Sequence, residues 1–314
     1  MLLVEDIKRQ EAPVACTALT IGSFDGLHLG HRRILDTVVK LARGGCAASV
    51  LTMRPHPRQF FTPDHAPNLL TNDEKKLALL EEAGMECVFI LPFDSETANL
   101  SPRAFIQEIL VNQCHVKHLV IGHDFQFGKA AEGDYSFLCQ MADEHGYTVT
   151  QAPALLINGE RVSSTAIRER IIGGDLEQAR VYLGRTYSMM GKVEPGRGIG
   201  RTLGFPTANI RPYNNAVPAH GVYVGSAQVA GSTFPAAINV GIAPTIRHED
   251  TTIEAYLLDF DDVLAETEIE LFFHKRLRPE RKFDSPKALS AQIARDVAEV
   301  RAYFAELGET FPAG

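Results

Sequence analysis

The sequence predicts two domains of different class. Residues 1–184 are expected to form an α/β domain with a parallel sheet, and residues 185–314 a β-barrel domain that ends in a long helix. In the first part, strand-like apolar runs alternate with helical patterns, which is typical of parallel sheets. In the second part, glycine and proline become frequent between short β-rich runs, which is typical of compact barrels. A length of 314 residues suits two domains.

Composition and charge exclude several classes of protein. A hydrophobic content of 45% with 22% charged residues is ordinary for a globular protein, and the net charge of -8 disfavours general binding to nucleic acid or an anionic membrane. No apolar run approaches a membrane span, and the start "MLLVEDIKRQ" lacks a signal-peptide core. The five cysteines are scattered without a C-x-x-C pair, which favours buried reduced thiols. We therefore expect a cytoplasmic protein with no structural metal and no nucleic-acid or membrane partner.

The elements of the first domain follow from apolar periodicity and from helix caps. A capping box of Thr71 and Glu74 opens one helix, and Ser101 followed by Pro102 opens another. Strands are predicted at 14–22, 47–53, 86–92 and 117–122, and helices at 31–42, 71–84 and 101–110.

The second domain shows shorter elements and one long terminal helix. Strands are predicted at 187–193, 221–231, 252–260 and 268–273. Ser285 caps the helix with Pro286 behind it. An apolar stripe at helical spacing contains Leu289, Ile293, Val297, Val300, Phe304 and Leu307.

The segment "GSFDGLHLGH", Gly22 to His31, lies between the first strand and the first helix. In a doubly wound sheet this loop leads to a helix N-terminus, where free amides and the dipole favour anions. His28 and His31 flank the helix entry, so phosphate binding, metal binding and a capping or core role are all open. Phosphate binding is favoured, because no H-E-x-x-H motif or cysteine cluster completes a metal site.

Two other motifs carry polar groups suited to nucleotide phosphates. "SSTAIR", Ser163 to Arg168, places serines at a helix start and a guanidinium one turn later, although a plain serine cap explains the motif equally when it is read alone. "GRGIGRTLGFPTANI", Gly196 to Ile210, is a glycine-rich loop that leads to a strand, where Thr207 and Asn209 share one face. Their oxygens suit a hard cation, and a simple turn is the alternative. The P-loop pattern G-x-x-x-x-G-K-[ST] does not occur, which excludes a P-loop kinase.

The motifs of the first domain resemble a known family. "GSFDGLHLGH" and "SSTAIR" resemble the H-x-G-H and S-S-T-x-I-R elements of adenylyl and cytidylyl transferases. "RPHP", Arg54 to Pro57, and "GHDFQFG", Gly122 to Gly128, are similar to elements of the bacterial FAD synthetase branch. This resemblance implies a Rossmann-like nucleotidyltransferase domain whose histidines bind the triphosphate of ATP.

The motifs of the second domain resemble riboflavin kinase. The similar elements are residues 196–210, 221–223, 238–245, 253–260 and 277–285. This resemblance implies a six-stranded barrel in which Thr207 and Asn209 hold Mg-ATP and Glu254 is the base. Without it, Glu254 would be interpreted as a solvated strand-edge carboxylate, and His56 as a loop histidine. The two resemblances together cover nearly the whole chain, as in the bifunctional bacterial riboflavin kinase and FAD synthetase family.

The resemblance implies a role for each candidate residue. The catalytic residues are His28, His31 and Glu254, and the metal ligands are Thr207 and Asn209. The residues expected to bind ATP or its phosphates are Gly22, Phe24, Asp25, Gly26, Gly30, Ser163, Ser164, Thr165, Arg168, Gly200 and Arg201. The residues expected to bind the flavin are His56, Pro57, Asp124, Phe125, Phe127, Arg278 and Phe283. The sequence departs from the family pattern at Ser23, at Ala130 to Glu132 and at Thr186, in loops outside the catalytic set.

The expected activity is therefore ATP-dependent phosphorylation of riboflavin to FMN, followed by adenylylation of FMN to FAD with release of pyrophosphate, both with Mg²⁺. The expected partners are riboflavin, FMN and ATP, and self-association stays open. Two alternatives are a nucleotidyltransferase whose barrel only regulates it, and a flavin-storing or flavin-sensing protein without turnover. A complete barrel set disfavours the first alternative, and intact histidine and serine motifs disfavour the second.

Overall fold

The computed structural model describes residues 1–10, 13–196, 199–213, 216–244, 249–262, 264 and 266–308. The chain divides into two compact units, which are described separately. Unit 1 contains Met1–Pro67 and Asp73–Ser163, and unit 2 contains Asn68–Asn72 and Ser164–Gly314. The domain boundary at residues 184/185 stays a prediction.

Unit 1 is an α/β layer structure around one parallel sheet. Its sheet strands are β1 (Leu2–Val4), β2 (Thr17–Ile21), β3 (Ala47–Arg54), β4 (Cys87–Pro92), β5 (Val116–Gly122) and β6 (Thr148–Ala152), in the order β1-β4-β3-β2-β5-β6. A two-stranded hairpin, β7 (Leu156–Ile157) and β8 (Glu160–Arg161), is separate. The helices are α1 (Leu29–Ala42), α2 (Pro57–Phe61), α3 (Asp73–Glu82), α4 (Ser95–Ala98), α5 (Pro102–Ala104) and α6 (Tyr135–His145). All sheet pairs are parallel, which confirms the predicted class.

Each face of this sheet is covered by its own apolar cluster. One cluster joins Leu35 and Val38 of α1 to Leu79 of α3 and to strand residues. The other contains Phe105 and Leu138 on the opposite side. Burial on both faces explains why consecutive residues of β2 and β4 are buried, rather than alternate ones.

The predicted elements of unit 1 are present, with differences at the edges of the sheet. Ser101 caps α5 by accepting from the N–H of Ala104, but the helix then widens into a π-helical segment, Phe105–Gln113, in which Cys114 N–H donates to the carbonyl of Ile109. Sequence periodicity did not predict β1, β6 or α6. Both strands are short and lie at sheet edges, so alternation gives little signal.

Unit 2 is a closed antiparallel barrel with flanking helices. Its strands are β9 (Tyr187–Glu194), β10 (Ala208–Pro212), β11 (Gly221–Val229), β12 (Ser232–Pro244), β13 (Glu249–Leu257) and β14 (Glu268–Arg278), in the order β10-β13-β12-β11-β14-β9. Its helices are α7 (Ser164–Gly173), α8 (Leu176–Leu183), α9 (Ile199–Thr202) and α10 (Pro286–Glu306). Because β9 also pairs with β10, the ring closes, and the predicted six-stranded barrel is confirmed.

Helix α10 has the predicted cap but a different buried stripe. Ser285 accepts from the N–H of Ala288, with Pro286 at the first helical position. The buried positions are Gln292, Asp296, Val300 and Phe304, and Leu307 is 51% exposed. The apolar stripe is therefore wrong for Leu307, which lies past the last helical turn. It also omitted two buried polar residues, which periodicity of apolar residues cannot reveal.

The cysteines differ from the expectation of five reduced thiols. Cys16 and Cys46 are joined by a disulfide, with their Cα atoms 4.7 Å apart. The residues that follow them, Thr17 and Ala47, are paired between β2 and β3, so a separation of 30 residues in sequence becomes adjacency in the sheet. Cys87 and Cys114 are buried thiols, and Cys139 is exposed. No helix in the described ranges is long and apolar enough to cross a membrane.

Helices α7 and α8 suggest where an independently folding fragment begins. Tyr182 and Leu183 of α8 are buried, and α8 packs on β9 and β14. We expect a fragment of residues 164–314 to be more stable than one of residues 185–314 by about 3 kcal/mol or more, because burying a large apolar side chain contributes about 1.5–3 kcal/mol. Urea unfolding midpoints would measure this difference. Both fragments lack residues 68–72, so equal midpoints would show that α7 and α8 do not stabilise the barrel.

His274 on β14 predicts a pH dependence of stability. Burial, helped by the charge of Arg180, lowers its pKa to about 4, and its ring contacts Ser226 and Phe304. The unfolded chain therefore binds the proton more tightly between about pH 6.5 and pH 4, and stability is lost as the pH falls through this window. We expect a loss of about 2 kcal/mol between about pH 7.5 and pH 5. Urea unfolding at both pH values should show this loss in the native chain and not in His274→Gln; equal losses would contradict the assignment.

Candidate functional site

The loop after β2 brings the two predicted histidines into contact. His28 is the N-cap of α1, and its Nδ1 accepts a hydrogen bond of 3.2 Å from the backbone N–H of His31. The two imidazole rings are stacked with centroids 3.6 Å apart. With Nδ1 as the acceptor, neutral His28 carries its proton on Nε2. The second ring nitrogen of His28 is then a hydrogen-bond donor at a helix N-terminus, where anions are favoured.

The backbone of this loop is tightly constrained. Phe24, Gly26 and Leu27 have positive φ angles of 48°, 81° and 34°. Phe24 and Asp25 are buried, and the ring of Phe24 lies 5.1 Å from that of His31. A side chain at Gly30 would begin 3.1 Å from the His28 ring, and one at Gly22 would begin 3.2 Å from the Phe24 ring. Glycine at both positions therefore leaves room for the rings that shape the site.

An aromatic cavity of about 360 Å³ lies at the carboxyl ends of the strands in unit 1. Ile21, Met53 and Leu91 from β2, β3 and β4 form its base. Further lining residues include Pro57, Phe61, Phe93, Phe105, Phe125 and Phe127. Phe125 and Phe127 have nearly parallel rings with centroids 5.6 Å apart. The cavity is large enough for a flat aromatic ligand, and its walls are apolar.

Three of the five residues that were predicted to bind the flavin in unit 1 line the aromatic cavity, and two do not. Pro57, Phe125 and Phe127 line the cavity. His56 is the N-cap of α2, where its Nδ1 accepts from the N–H of Arg58 at 3.1 Å. Asp124 is in an exposed ion pair with Arg161, at 2.7 Å. Burial acts to raise the pKa of Asp124, but the hydrogen bond and charge of Arg161 outweigh it and hold this pKa below its usual value.

The division between the two compact units falls inside the "SSTAIR" motif, between Ser163 and Ser164. Within unit 1, the carbonyl of Val162, just before the motif, would lie 3.6 Å from a side chain at Gly30. Within unit 2, α7 begins at Ser164, so Ser164 and Thr165 occupy a helix start as predicted. Arg168 donates from Nε to the carbonyl of Asn68 at 2.8 Å. The convergence of this motif with the histidines stays a prediction.

Strand pairing aligns the predicted kinase residues in one row of unit 2. Asn209 of β10 is paired with Glu254 of β13 on one side and with Glu194 of β9 on the other. Paired residues in antiparallel strands point to the same face. Glu254 is flanked by the buried Ile253 and Ala255, so it lies on the face opposite to these two core residues.

A second cavity of about 360 Å³ lies at this end of the barrel. Its lining includes Glu194, Gly196, Arg201, Thr207 and Asn209. The cavity thus brings together Arg201, Thr207 and Asn209. All three were predicted from the glycine-rich segment 196–210. Arg197 and Gly198 of the glycine-rich loop, and Thr245 of a kinase-like element, lie outside the described residues.

The glycines of this cavity keep the two oxygen ligands accessible. A side chain at Gly200 would overlap the carbonyl of Phe205 and would begin 3.0 Å from the hydroxyl of Thr207, and one at Gly196 would overlap the amide of Asn209. A hydroxyl and an amide oxygen fit a hard cation that completes its coordination with water and phosphate oxygens. Among the described residues, no group of three or more histidine, cysteine, aspartate or glutamate side chains could hold a metal ion.

The two remaining predicted flavin residues lie beside α10. Arg278 binds Asp296 with both Nε and Nη2, at 3.0 and 2.7 Å. Phe283 lies under the guanidinium groups of Arg278 and Arg281. Arg278 is therefore committed to a buried ion pair, and a direct flavin contact through this residue stays a prediction.

Sequence reasoning missed several residues that shape these sites. Phe61, Phe93, Met53 and Leu91 of the aromatic cavity belong to apolar runs that look like ordinary core. The adjacent Phe60 and Phe61 are exposed on a short helix, which marks them as candidates for a site, but this exposure is visible only in the structure. Glu194 was missed because only strand register places it beside Asn209.

Comparison with known proteins matches the two parts of the chain to two different enzyme families. A family model described as FAD synthetase matches residues 10–166, and one described as riboflavin kinase matches residues 183–304. The protein named bifunctional riboflavin kinase/FMN adenylyltransferase from Pseudomonas fluorescens is 37% identical over 91% of this chain and 92% of its own. This chain belongs to the family of bifunctional riboflavin kinases/FMN adenylyltransferases.

Other relatives extend the family match along almost the whole chain. The family member from Haemophilus influenzae is 35% identical over 97% of this chain and 99% of its own, and that from Bacillus subtilis is 35% identical over 96% of both. A solved structure titled a macrolide-efflux protein from Streptococcus pneumoniae has a TM-score of 0.86 and 27% identity, over 96% of this chain and 98% of that chain. That likeness concerns the fold of the whole chain.

The contact between Gly30 and His28 predicts a selective defect. In Gly30→Ala, the new methyl group would begin 3.1 Å from the His28 ring and shift it by a few tenths of an ångström. We expect FAD formation to fall about 10-fold, because misplacement of catalytic groups by about 1 Å costs about 100-fold, with FMN formation unchanged. Chromatographic assays of both products would measure this. Gly44→Ala is the control, since its methyl would meet only the Leu41 carbonyl at 3.8 Å; a similar loss there would refute the steric explanation.

Proposed function

We propose that the chain converts riboflavin and ATP to FMN and ADP in unit 2, and FMN and ATP to FAD and pyrophosphate in unit 1. The observation that carries this proposal is that each unit holds its own cavity and its own polar set. His28 and His31 lie in unit 1, and Thr207, Asn209 and Glu254 lie in unit 2. Relatives with both activities in their names match at least 91% of the chain in the comparisons above.

In the adenylyl transfer, an FMN phosphate oxygen attacks the α-phosphorus of ATP and pyrophosphate leaves. The protein has little covalent chemistry to do, so it acts by positioning and by neutralising charge. His28, whose Nδ1 already accepts from the backbone, donates from Nε2 to a phosphate oxygen. His31, stacked on it, holds the ring plane and supplies a second donor. The α1 amides add a further preference for anionic oxygen.

The aromatic cavity of unit 1 accounts for the flavin. An isoalloxazine ring is flat, aromatic and apolar on its faces, and the walls provided by Phe61, Phe125 and Phe127 suit it by stacking and edge contacts. Ile21 belongs to this cavity and ends the strand that leads into the histidine loop. A flavin in the cavity would therefore have its phosphate side near the loop that carries His28 and His31.

The serine motif is kept in this proposal as a phosphate-binding element because of its sequence resemblance. Ser163, Ser164 and Thr165 stand at the start of α7, whose hydroxyls and amides suit the β- and γ-phosphates. Arg168 can add a bidentate guanidinium from the next turn, in exchange for its present contact with Asn68.

In the phosphoryl transfer, the terminal ribityl hydroxyl of riboflavin attacks the γ-phosphorus of ATP and ADP leaves. In this proposal Glu254 accepts the hydroxyl proton, and its pairing with Asn209 across β10 and β13 supports this role. Thr207 and Asn209 would hold a Mg²⁺ ion, which when bound neutralises charge on the transferring phosphate. Arg201 lines the same cavity and supplies a cation for the remaining phosphate oxygens.

The small-molecule partners in this proposal are riboflavin, FMN and ATP, and the location is the cytoplasm, where ATP and free riboflavin meet. The proposal leaves self-association open, and the mass of the protein in solution would measure it.

Two variants test the function through opposite defects. Glu254→Gln should lower FMN formation by about 10² to 10⁴, the usual contribution of a positioned base, and spare FAD formation from supplied FMN. His31→Ala should lower FAD formation by about 10² to 10³, the usual contribution of one donor to developing charge, and spare FMN formation. Incubation with riboflavin or FMN, ATP and Mg²⁺, followed by chromatography, would measure both.

Three outcomes would contradict the proposal in different ways. Loss of both activities in either variant would contradict the assignment of separate sites. FAD formation without FMN formation in the native chain would indicate a regulatory barrel. Flavin binding without either product would indicate storage or sensing.

A further inference from the structure

The segment after β14 is fixed to α10 by two arginines. Arg278 donates from Nε and Nη2 to the carboxylate of Asp296, which is 3% exposed. Arg281 donates to the side-chain oxygen of Gln292, and Gln292 in turn donates to Asp296 at 2.8 Å. These four residues form one polar network around the buried side chains of Gln292 and Asp296. Pro279 and Glu280 lie between the two arginines, so the backbone at Glu280 is fixed on both sides.

The side chain of Glu280 extends over β12. A methyl group added to Gly241 would lie 2.5 Å from Oε1 of Glu280 and 3.3 Å from Nδ2 of Asn239. The carboxylate and the amide thus lie side by side above Gly241, which has no side chain to block them. In the part of the chain that the structure describes, no group donates a hydrogen bond to the Glu280 carboxylate.

Strand register places this pair beside the kinase residues. Asn239 of β12 is paired with Glu254 of β13, and Glu254 is paired with Asn209 of β10. The three side chains share one face, at strand spacings of about 4.8 Å. Glu280 and Asn239 therefore continue the row that begins at the phosphate ligands and passes through the proposed base.

We propose that Glu280, together with Asn239, binds the ribityl chain of riboflavin during its phosphorylation, so that Glu280 is a specificity residue for the polyol. This inference rests on the proposed kinase function of unit 2. A ribityl chain carries several hydroxyl groups, each of which donates and accepts hydrogen bonds. A carboxylate accepts from hydroxyls strongly, and an amide can donate to the next oxygen. Held beside Glu254, the pair fixes which hydroxyl reaches the base.

The arrangement also explains the buried polar stripe on α10. Asp296 and Gln292 occupy helix positions that an apolar core would normally take, and they anchor the residues on both sides of Glu280. Asp296 is thus a positioning residue that acts through Arg278. Gly241 contributes by leaving the space into which the Glu280 side chain extends.

The test compares Glu280→Gln with the native chain in steady-state kinase assays. Loss of a charged hydrogen bond to a neutral hydroxyl should raise the KM for riboflavin about 10-fold, with kcat and the KM for ATP within about 3-fold of native values. Gly241→Ala should reproduce this effect with Glu280 intact, because the new methyl would displace the carboxylate. Glu299→Gln, at an exposed position of α10, is the matched control and should change none of the three constants.

A second measurement separates polyol binding from a general effect on the fold. The isoalloxazine that carries a methyl group in place of the ribityl chain should inhibit the native chain and Glu280→Gln with equal inhibition constants. An unchanged KM for riboflavin in Glu280→Gln, or an equal weakening of riboflavin and of this analogue, would overturn the inference. Failure of the native chain to phosphorylate riboflavin would instead overturn the proposed function on which the inference rests.

Discussion

Strand register is the constraint on which both sites depend. In unit 1, parallel pairing brings the carboxyl ends of β2, β3 and β4 to one edge, where their last apolar residues form the base of the aromatic cavity. In unit 2, antiparallel pairing places Asn209, Glu254 and Asn239 in one row across three strands. A slip of one residue in either sheet would turn these side chains to the other face. The hydrophobic core prevents such a slip, since it would bury the polar row and expose the apolar one.

Glycine supplies the second common feature of the two sites. Gly30 leaves room for the His28 ring, Gly196 for the Asn209 amide, and Gly241 for the Glu280 carboxylate. In each case a side chain that we assign to a site occupies space that a Cβ atom would restrict. These glycines are therefore explained by the neighbour they accommodate, and only Gly26 in the histidine loop is explained by a positive φ angle.

Helix α10 joins stability to function in unit 2. Its C-terminal half packs Val300 and Phe304 on the barrel in an apolar cluster, as an ordinary amphipathic helix does. Its N-terminal half instead buries Asp296 and Gln292 against two arginines. A buried ion pair stabilises a fold little compared with an apolar contact of the same volume, but it fixes geometry through directed hydrogen bonds. This division of the helix suits an element that holds the segment after β14 at a defined place.

The sequence by itself determined the two fold classes, the histidine loop, the helix start in "SSTAIR" and the oxygen pair at Thr207 and Asn209. These features are local, because periodicity, caps and motifs are written within a few consecutive residues. Only the tertiary structure decided the aromatic cavity, the disulfide between Cys16 and Cys46, the row through Glu254 and the place of Glu280. Each of these depends on which distant residues become neighbours when strands pair and helices pack, and the pairing is selected by burial of the whole core rather than by any short segment.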